Sequence, residues 1–344
     1  MSDIHRIDSH KLEFHPRRVA AWTEGKDWWS SAQDIYPIYV EVSPSGACNH
    51  RCTFCAVDYI GYKPVNLDAD LLMERLHEMG KLGVKSVMFA GEGEPLLHKR
   101  INAITEFTAR KADIDVAFTT NGVLLHKLET LHECTWVKLS INAGTRETYT
   151  KVHQTHERDW DRVWRNLEIM IPKKGACTVG VQMVVLPENE HEIPAMEALC
   201  ADHGVDYLVL KPYSQHKMSI THQYEGWKPI KLETASKLSV KREAAFATDK
   251  IPYNKCSATP FFWAYIMASG DVYSCSAYLL DPRFHLGNIN QENFRSIWTG
   301  EKRHANWEFV RKHLDISECR VNCRMDKANR YLDSFGKMPH ANFI

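Results

Sequence analysis

YPIYVEVSPSGACNHRCTFC, residues 36–55, decides how this chain is read. Pro37–Ser43 is a short apolar, β-branched run of the kind that forms a strand. Cys48, Cys52 and Cys55 follow in a loop just beyond it. Three thiolates this close can hold three irons of a cubane and leave the fourth iron open to a ligand that is not protein. A structural zinc normally wants four protein ligands, commonly in CxxC pairs. Here the spacing is C-x3-C-x2-C, His50 lies inside the loop, and no other nearby His or Cys stands at a familiar spacing. The chemistry favours an iron–sulfur cluster over zinc or free thiols.

Outward from this stretch, short β-branched runs alternate with longer amphipathic ones. Strands are expected at Pro37–Ser43, Val84–Ala90, Ile114–Thr119, Val137–Ile141, Val179–Leu186 and Tyr207–Leu210. Helices are expected near Leu67–Leu82, Lys99–Lys111, Val123–Glu133, Asp159–Ile171 and Glu192–His203. Six strands with helical crossovers imply a parallel sheet with right-handed connections, its active site at the C-terminal strand ends. The expected fold class is α/β, a partial (β/α)6 TIM-type barrel followed by a small C-terminal domain whose four further cysteines would make it an iron–sulfur auxiliary domain. The expected organisation is an N-terminal extension at 1–35, partly helical and bearing Trp22, Trp28 and Trp29, and a barrel at 36–215. A linker with a helix at Leu232–Ala247 spans 216–255, the auxiliary region 256–325 and a tail 326–344. Gly270-Asp271 reads as a hairpin turn.

Lys+Arg and Asp+Glu both number 43, so no basic surplus exists to drive binding to nucleic acid or an anionic membrane. The first residues lack the apolar core of a signal peptide and no apolar run is long enough to span a bilayer. A cytoplasmic enzyme is the expectation, and its ten cysteines point to metal rather than disulfides.

The cysteine loop, with Phe54 before its last cysteine, resembles the CxxxCxxC signature of the radical S-adenosylmethionine (SAM) superfamily. The resemblance continues along the chain. Gly91-Glu92-Gly93-Glu94-Pro95 matches the family's GGEP turn, with Glu92 where a glycine is usual, and Thr119-Thr120-Asn121-Gly122 matches its TNG segment. Ser140 and Asn142 end the fourth strand, where the family places contacts to the SAM ribose and carboxylate. Gln182 and Lys211 are further candidates for the same cavity. The resemblance implies a [4Fe–4S] cluster whose open iron chelates SAM, and reductive cleavage of SAM to a 5′-deoxyadenosyl radical. It also implies a flavodoxin- or ferredoxin-type electron donor.

Cys256 and Cys275, spaced C-x13-G-x4-C about Gly270, and the Cys319/Cys323 pair form a second set. Four thiolates complete a [4Fe–4S] cluster with no open iron, and a structural zinc is the alternative. The pattern resembles a shortened, single-cluster SPASM region, or twitch domain. Such a cluster accepts or relays an electron, which favours oxidation. Cys134, Cys177 and Cys200 fall away from the expected mouth, which counts against epimerisation unless Tyr213 or Tyr253 supplies the hydrogen. The polar loop 212–227 suits a hydroxyl-rich substrate such as an aminocyclitol, sugar or nucleotide sugar. Oxidation or cross-linking of a peptide is the second reading, and a non-catalytic electron carrier a distant third.

Overall fold

The computed structural model describes residues 10–227, 239–242, 253–320, 323–335, 339–340 and 342. All six expected strands are present: β1 (Tyr39–Val42), β2 (Ser86–Phe89), β3 (Asp115–Thr120), β4 (Trp136–Ser140), β5 (Thr178–Val185) and β6 (Tyr207–Pro212). Each pairs in parallel with the next. Alternation along each strand sorts the two faces. Val40, Val87, Phe89, Phe118, Leu139 and Met183 turn toward the helices, whereas Tyr39, Met88, Ala117 and Trp136 meet on the inner face.

The parallel run is longer than the six strands expected. β7 (Ser239–Arg242) adds to β6 and β8 (Trp263–Ile266) to the far side of β1, both in parallel. β9 (Asp271–Tyr273) and β10 (His285–Asn288) continue antiparallel, giving the order β10-β9-β8-β1-β2-β3-β4-β5-β6-β7. The auxiliary region is therefore stitched to the barrel through β1. β7 lies inside the stretch expected as a helix, Leu232–Ala247. Its backbone is recruited by the open edge of β6, which offers unpaired hydrogen-bonding groups; the rest of that stretch lies outside the described residues. The β8–β9 turn falls where Gly270-Asp271 predicts it. Gly270 has φ +87°, and a Cβ there would stand 2.4 Å from Asn290 Nδ2.

Helices α1 (Pro16–Gly25) and α2 (Trp29–Ala32) precede the sheet, and α3 (Ala69–Lys81), α4 (Ile101–Arg110), α5 (Arg146–His153), α6 (Glu157–Met170) and α7 (Ile193–Asp202) follow its strands. The helix expected at Val123–Glu133 does not form; two 3-10 turns, Leu125–Lys127 and Leu131–Glu133, take its place. The buried residues Leu125, Leu128 and Leu131 are spaced by three, the period of a 3-10 turn and not the 3.6 of an α-helix. Conversely, α5 escaped the reading because it is short and polar. Thr145 caps it, its side chain accepting from the Thr148 N–H.

A second core joins the N-terminal helices to α8 (Thr259–Phe262) and α10 (Glu301–Lys312) of the auxiliary region and to α11 (Asp326–Ser334) in the segment expected as a tail, while α9 (Phe294–Thr299) packs into the main core. Leu12, Val19, Trp22 and Ile35 pack with Phe261, Trp307, Val310 and Leu332. Buried Arg303 donates to the carbonyls of Ala32, Pro260 and Trp298, which pins three segments at one point. Among the described residues no helix is long and apolar enough to cross a membrane.

Candidate metal centres and cofactor site

The loop after β1 carries the first three cysteines, and the turn after β2 docks directly on it. The Glu94 N–H donates to the Ala47 carbonyl at 2.7 Å. Gly93 makes the approach possible: a Cβ there would lie 2.3 Å from both the Ala47 and Ser45 carbonyls. Gly91, at φ +113°, is likewise pressed against Ser43.

Glu94 ties these loops to the one after β3. Its Oε1 accepts from Thr120 Oγ1 at 2.6 Å and the Leu96 N–H at 3.1 Å, and its Oε2 from the Asn121 N–H at 2.8 Å. Asn121 in turn donates through Nδ2 to Asn49 Oδ1 at 2.7 Å, inside the cysteine loop. Pro95 opens the short turn Pro95–Leu97 that holds Glu94 in place. Burial pushes the Glu94 carboxyl pKa up, against the pull of its three donors. Among the described residues no cation pairs with it, so a buried, hydrogen-bonded carboxylate faces this junction with a lone pair to spare on Oε2. That acceptor fits the ammonium of an amino-acid-like ligand.

Glu92 behaves differently. Its Oε1 accepts from the Ala268 N–H at 2.8 Å, at the β8–β9 turn. The residue that departs from the glycine pattern therefore braces the auxiliary hairpin against the barrel.

The remaining candidates divide in two. Ser140 and Gln182 are register partners and both partly exposed, while Lys211 is paired with Val184. All three lie on the face opposite the helices. Asn142 is instead fully buried and occupied: its Oδ1 accepts from the Val184 N–H at 2.6 Å, and its backbone N–H donates to His153 Nε2 at 3.1 Å. Phe54 stands edge-on to His153, centroids 5.5 Å apart.

Cys48, Cys52 and Cys55 influence one another electrostatically, and burial raises all three thiol pKa values, Cys48 to about 11. The Cys52 sulfur lies 3.4 Å from His153 Nδ1, and the His50 N–H near Cys48 and the Tyr62 hydroxyl near Cys55 pull against the effect of burial. Among the described residues the sulfurs form no zinc-sized thiolate group. Around one tetrahedral zinc, sulfurs at Zn–S of about 2.3 Å sit about 3.8 Å apart. Among the described residues no three of the seven cysteines bring their sulfurs within 4.8 Å of one another; the one compact trio is His50, Cys52 and His153. His153 offers no lone pair to that trio. A backbone N–H only donates, so Nε2 is the acceptor and Nδ1 carries the proton.

At the second set, Cys275 feels Cys323, Cys256 and Cys319. Thr259 Oγ1 lies 3.2 Å and Asn329 Nδ2 3.5 Å from the Cys256 sulfur, and the Tyr278 hydroxyl lies 3.6 Å from that of Cys319. Asn329, within the segment expected as a tail, also caps the Ser257 and Ala258 N–H groups. Arg324, just past the pair, reaches the inner face of the sheet to pair with Glu41 at 2.6 Å. Here the Cys256 thiol donates to Thr259 and accepts from Asn329; as thiolates, Cys256 and Cys319 would accept from these hydroxyl and amide groups, which suits a thiolate-ligated cluster. Cys134, Cys177 and Cys200 are buried away from both sets.

The loop 213–227 folds onto the cysteine loop. Asp58 accepts from Ser219 Oγ and the N–H groups of Ile220 and Thr221 at 3.0–3.1 Å, and Tyr224 and Thr53 share a hydrogen bond.

Comparison with known proteins agrees with this arrangement. Residues 42–200 match the model of the radical SAM superfamily and residues 256–324 that of SPASM, an iron–sulfur cluster-binding domain. The chain carries a radical SAM domain followed by a SPASM domain. Its cofactors are accordingly SAM and two [4Fe–4S] clusters. It is 30% identical over 200 residues to a GTP 3',8-cyclase of Chlorobaculum tepidum, a match covering 56% of this chain and 59% of that one. The chain thus spans about three fifths of the length of that relative. A tungsten-containing aldehyde ferredoxin oxidoreductase cofactor-modifying protein of Pyrococcus furiosus is 22% identical and matched over 88% of this chain and 92% of its own. Streptococcus suis SuiB, solved with SAM, superposes over 90% of this chain and 75% of its own at a TM-score of 0.63 and 17% identity. This likeness shows the shared fold.

The residues that sequence reasoning missed are His153, Tyr62, Asn49 and Asn329. His153 lies 101 positions from the cysteine it contacts, and no local pattern joins them.

Proposed function

We propose that this chain is a radical SAM oxidoreductase that dehydrogenates a small polyhydroxylated substrate, a sugar, aminocyclitol or nucleotide sugar. The observation that carries the reading is the Glu94 junction, which gathers the loops after β1, β2 and β3 around one buried carboxylate. When bound there, SAM and the cluster on Cys48, Cys52 and Cys55 supply a 5′-deoxyadenosyl radical that abstracts a substrate hydrogen atom.

The chain's residues have distinct tasks in this scheme. Glu94 receives the SAM ammonium, Gly91 and Gly93 let the turn approach the cysteine loop, and Thr120 and Asn121 fix its direction. Ser140, Gln182 and Lys211 line the inner face on which substrate and the ribose lie. Cys256, Cys275, Cys319 and Cys323 hold the auxiliary cluster as acceptor of the second electron, and Arg324–Glu41 anchors it to the barrel. A flavodoxin- or ferredoxin-type protein supplies the first electron. The small-molecule preference is supported by the GTP 3',8-cyclase match at 30% identity, a protein named for a nucleotide reaction. Peptide oxidation is the second reading, supported by the fold shared with SuiB, which has also been solved with its precursor peptide SuiA.

Anaerobically reconstituted protein should hold about eight irons per chain. Replacing Cys48, Cys52 and Cys55 together with alanine should remove half the iron and all SAM cleavage. Mass spectrometry of reduced enzyme with SAM and pooled nucleotide sugars should find a product lighter by two hydrogens. Stoichiometric zinc without iron, or such a product only from peptides, would sink the corresponding part of the proposal.

A further inference from the structure

We propose that His153 donates a hydrogen bond from Nδ1 to the Cys52 sulfur and thereby sets the reduction potential of the SAM-binding cluster, with Asn142 as the residue that positions it. The proposal rests on Cys52 being a ligand of that cluster. Nδ1 lies 3.4 Å from the Cys52 sulfur, within hydrogen-bond reach of a large acceptor. The other ring nitrogen faces Asn142, whose backbone N–H donates to Nε2 at 3.1 Å. An N–H only donates, so the ring proton is forced to the nitrogen that faces sulfur.

The ring cannot turn away from this arrangement. His153 closes α5, fully buried, between the Tyr149 ring (centroids 4.2 Å), the His50 ring (5.2 Å) and Phe54 (5.5 Å). The cysteine loop is clamped to the end of the same helix, since the Arg51 N–H donates to the His153 carbonyl and the Thr53 N–H to that of Val152. Asn142 is held as firmly through Val184 and Asn189. Its burial and its occupied groups explain why it stands at the end of β4 without facing the cavity.

A hydrogen bond to a thiolate ligand withdraws charge from the iron and favours the reduced cluster. This matters because the cluster must be reduced before SAM is cleaved, and a donor fixed in advance makes that reduction easier. Among the described residues the hydrogen-bond contact of His153 Nδ1 is the Cys52 sulfur.

The test is a potentiometric titration followed by electron paramagnetic resonance, with the auxiliary cluster as internal control. In His153→Phe, the cluster whose signal responds to SAM should become about tenfold harder to reduce, which for one electron is about 59 mV. The auxiliary cluster should not move. His153→Asn, whose side-chain amide can take the place of Nδ1, should recover most of the difference. An unchanged potential in a loaded His153→Phe protein would overturn the inference and leave the cluster assignment intact. Absence of any SAM-responsive cluster in the wild type would instead overturn the assignment. Should His153→Phe fail to load, the wild-type protein with ring-15N histidine decides. Nitrogen coupling to the reduced SAM-responsive cluster supports the bond, and its absence overturns it. His50, whose Nε2 faces Asp159 Oδ2 at 3.7 Å, provides no such path.

Discussion

Replacing Glu94 with glutamine probes the junction with the least change of shape. The wild-type carboxylate accepts from Thr120 Oγ1 and the Leu96 N–H on Oε1 and from the Asn121 N–H on Oε2. Glutamine keeps one acceptor oxygen, so with its carbonyl in the Oε1 position two of the three bonds survive. Its amide then opposes the Asn121 N–H, donor against donor, and leaves that buried group unpaired. An unpaired buried donor costs about 1–3 kcal/mol, so the melting temperature should fall by several degrees. The larger effect is on SAM. Loss of the negative charge removes a charge-assisted hydrogen bond to the ammonium, worth about 1.5–3 kcal/mol, or about 10- to 150-fold in Kd. Iron content should be normal, because all seven cysteines are kept and the charge removed is one that disfavours the Cys48 thiolate. Anaerobic calorimetry with SAM measures Kd, and thermal unfolding without SAM measures the structural cost separately. A glutamine variant that melts lower yet binds SAM with wild-type affinity would refute the reasoning and reduce Glu94 to a strut between β2 and β3.

Removing both Cys319 and Cys323 should release the auxiliary cluster, lowering iron by half while SAM is still cleaved. If that cluster takes the second electron, 5′-deoxyadenosine persists and oxidised product vanishes; near wild-type product from a folded variant would contradict an electron-accepting role. The tie between the two loops at Asp58 is expected to be acid-sensitive. Burial by itself would raise the Asp58 pKa, but its hydrogen bonds from the Ile220 and Thr221 N–H groups outweigh it and the value is lowered. A lowered folded-state pKa gives stability that is present above the unfolded value, about 3.9, and lost as pH falls through the folded one. Hydrogen exchange at Ile220 and Thr221 should therefore stay protected from pH 8 to about pH 4 and open below it. Asp58→Asn should open these amides several-fold already at pH 7; equal protection in the two proteins would show that the loop is held elsewhere.

The six strands were legible because a parallel sheet buried on both faces needs near-continuous β-branched runs, and Val179–Leu186 or Val84–Ala90 fit little else. What was hidden depended on partners. Ser239–Arg242 carries no strand signal of its own and is extended because β6 presents an open edge. Trp263–Ile266 reads as part of a cysteine-bearing, turn-rich region until β1 is seen beside it. The helix wrongly expected at Val123–Glu133 is a matter of period: leucines three apart satisfy an amphipathic pattern by eye, but their burial needs the tighter turn.

The site divides along the same line. Cysteine loop, Gly93-Glu94-Pro95 and Thr120-Asn121-Gly122 were readable because backbone geometry at a close approach constrains residue type locally, as the 2.3 Å contact at Gly93 shows. The second layer imposes no such local rule. Asn142 looked like a cavity residue because it follows a strand end, yet its neighbours in space are His153, eleven positions on, and Val184, forty-two positions on. Glu92 carries the same lesson in reverse. Judged against the family pattern it weakened the match at the ammonium turn, but its Oε1 accepts from the N–H of Ala268, 176 residues away, while Oε2 is buried without a hydrogen-bond partner. A glycine there would leave the Ala268 N–H buried and unpaired, so the departure from the pattern is what couples the two cluster-bearing regions of this chain.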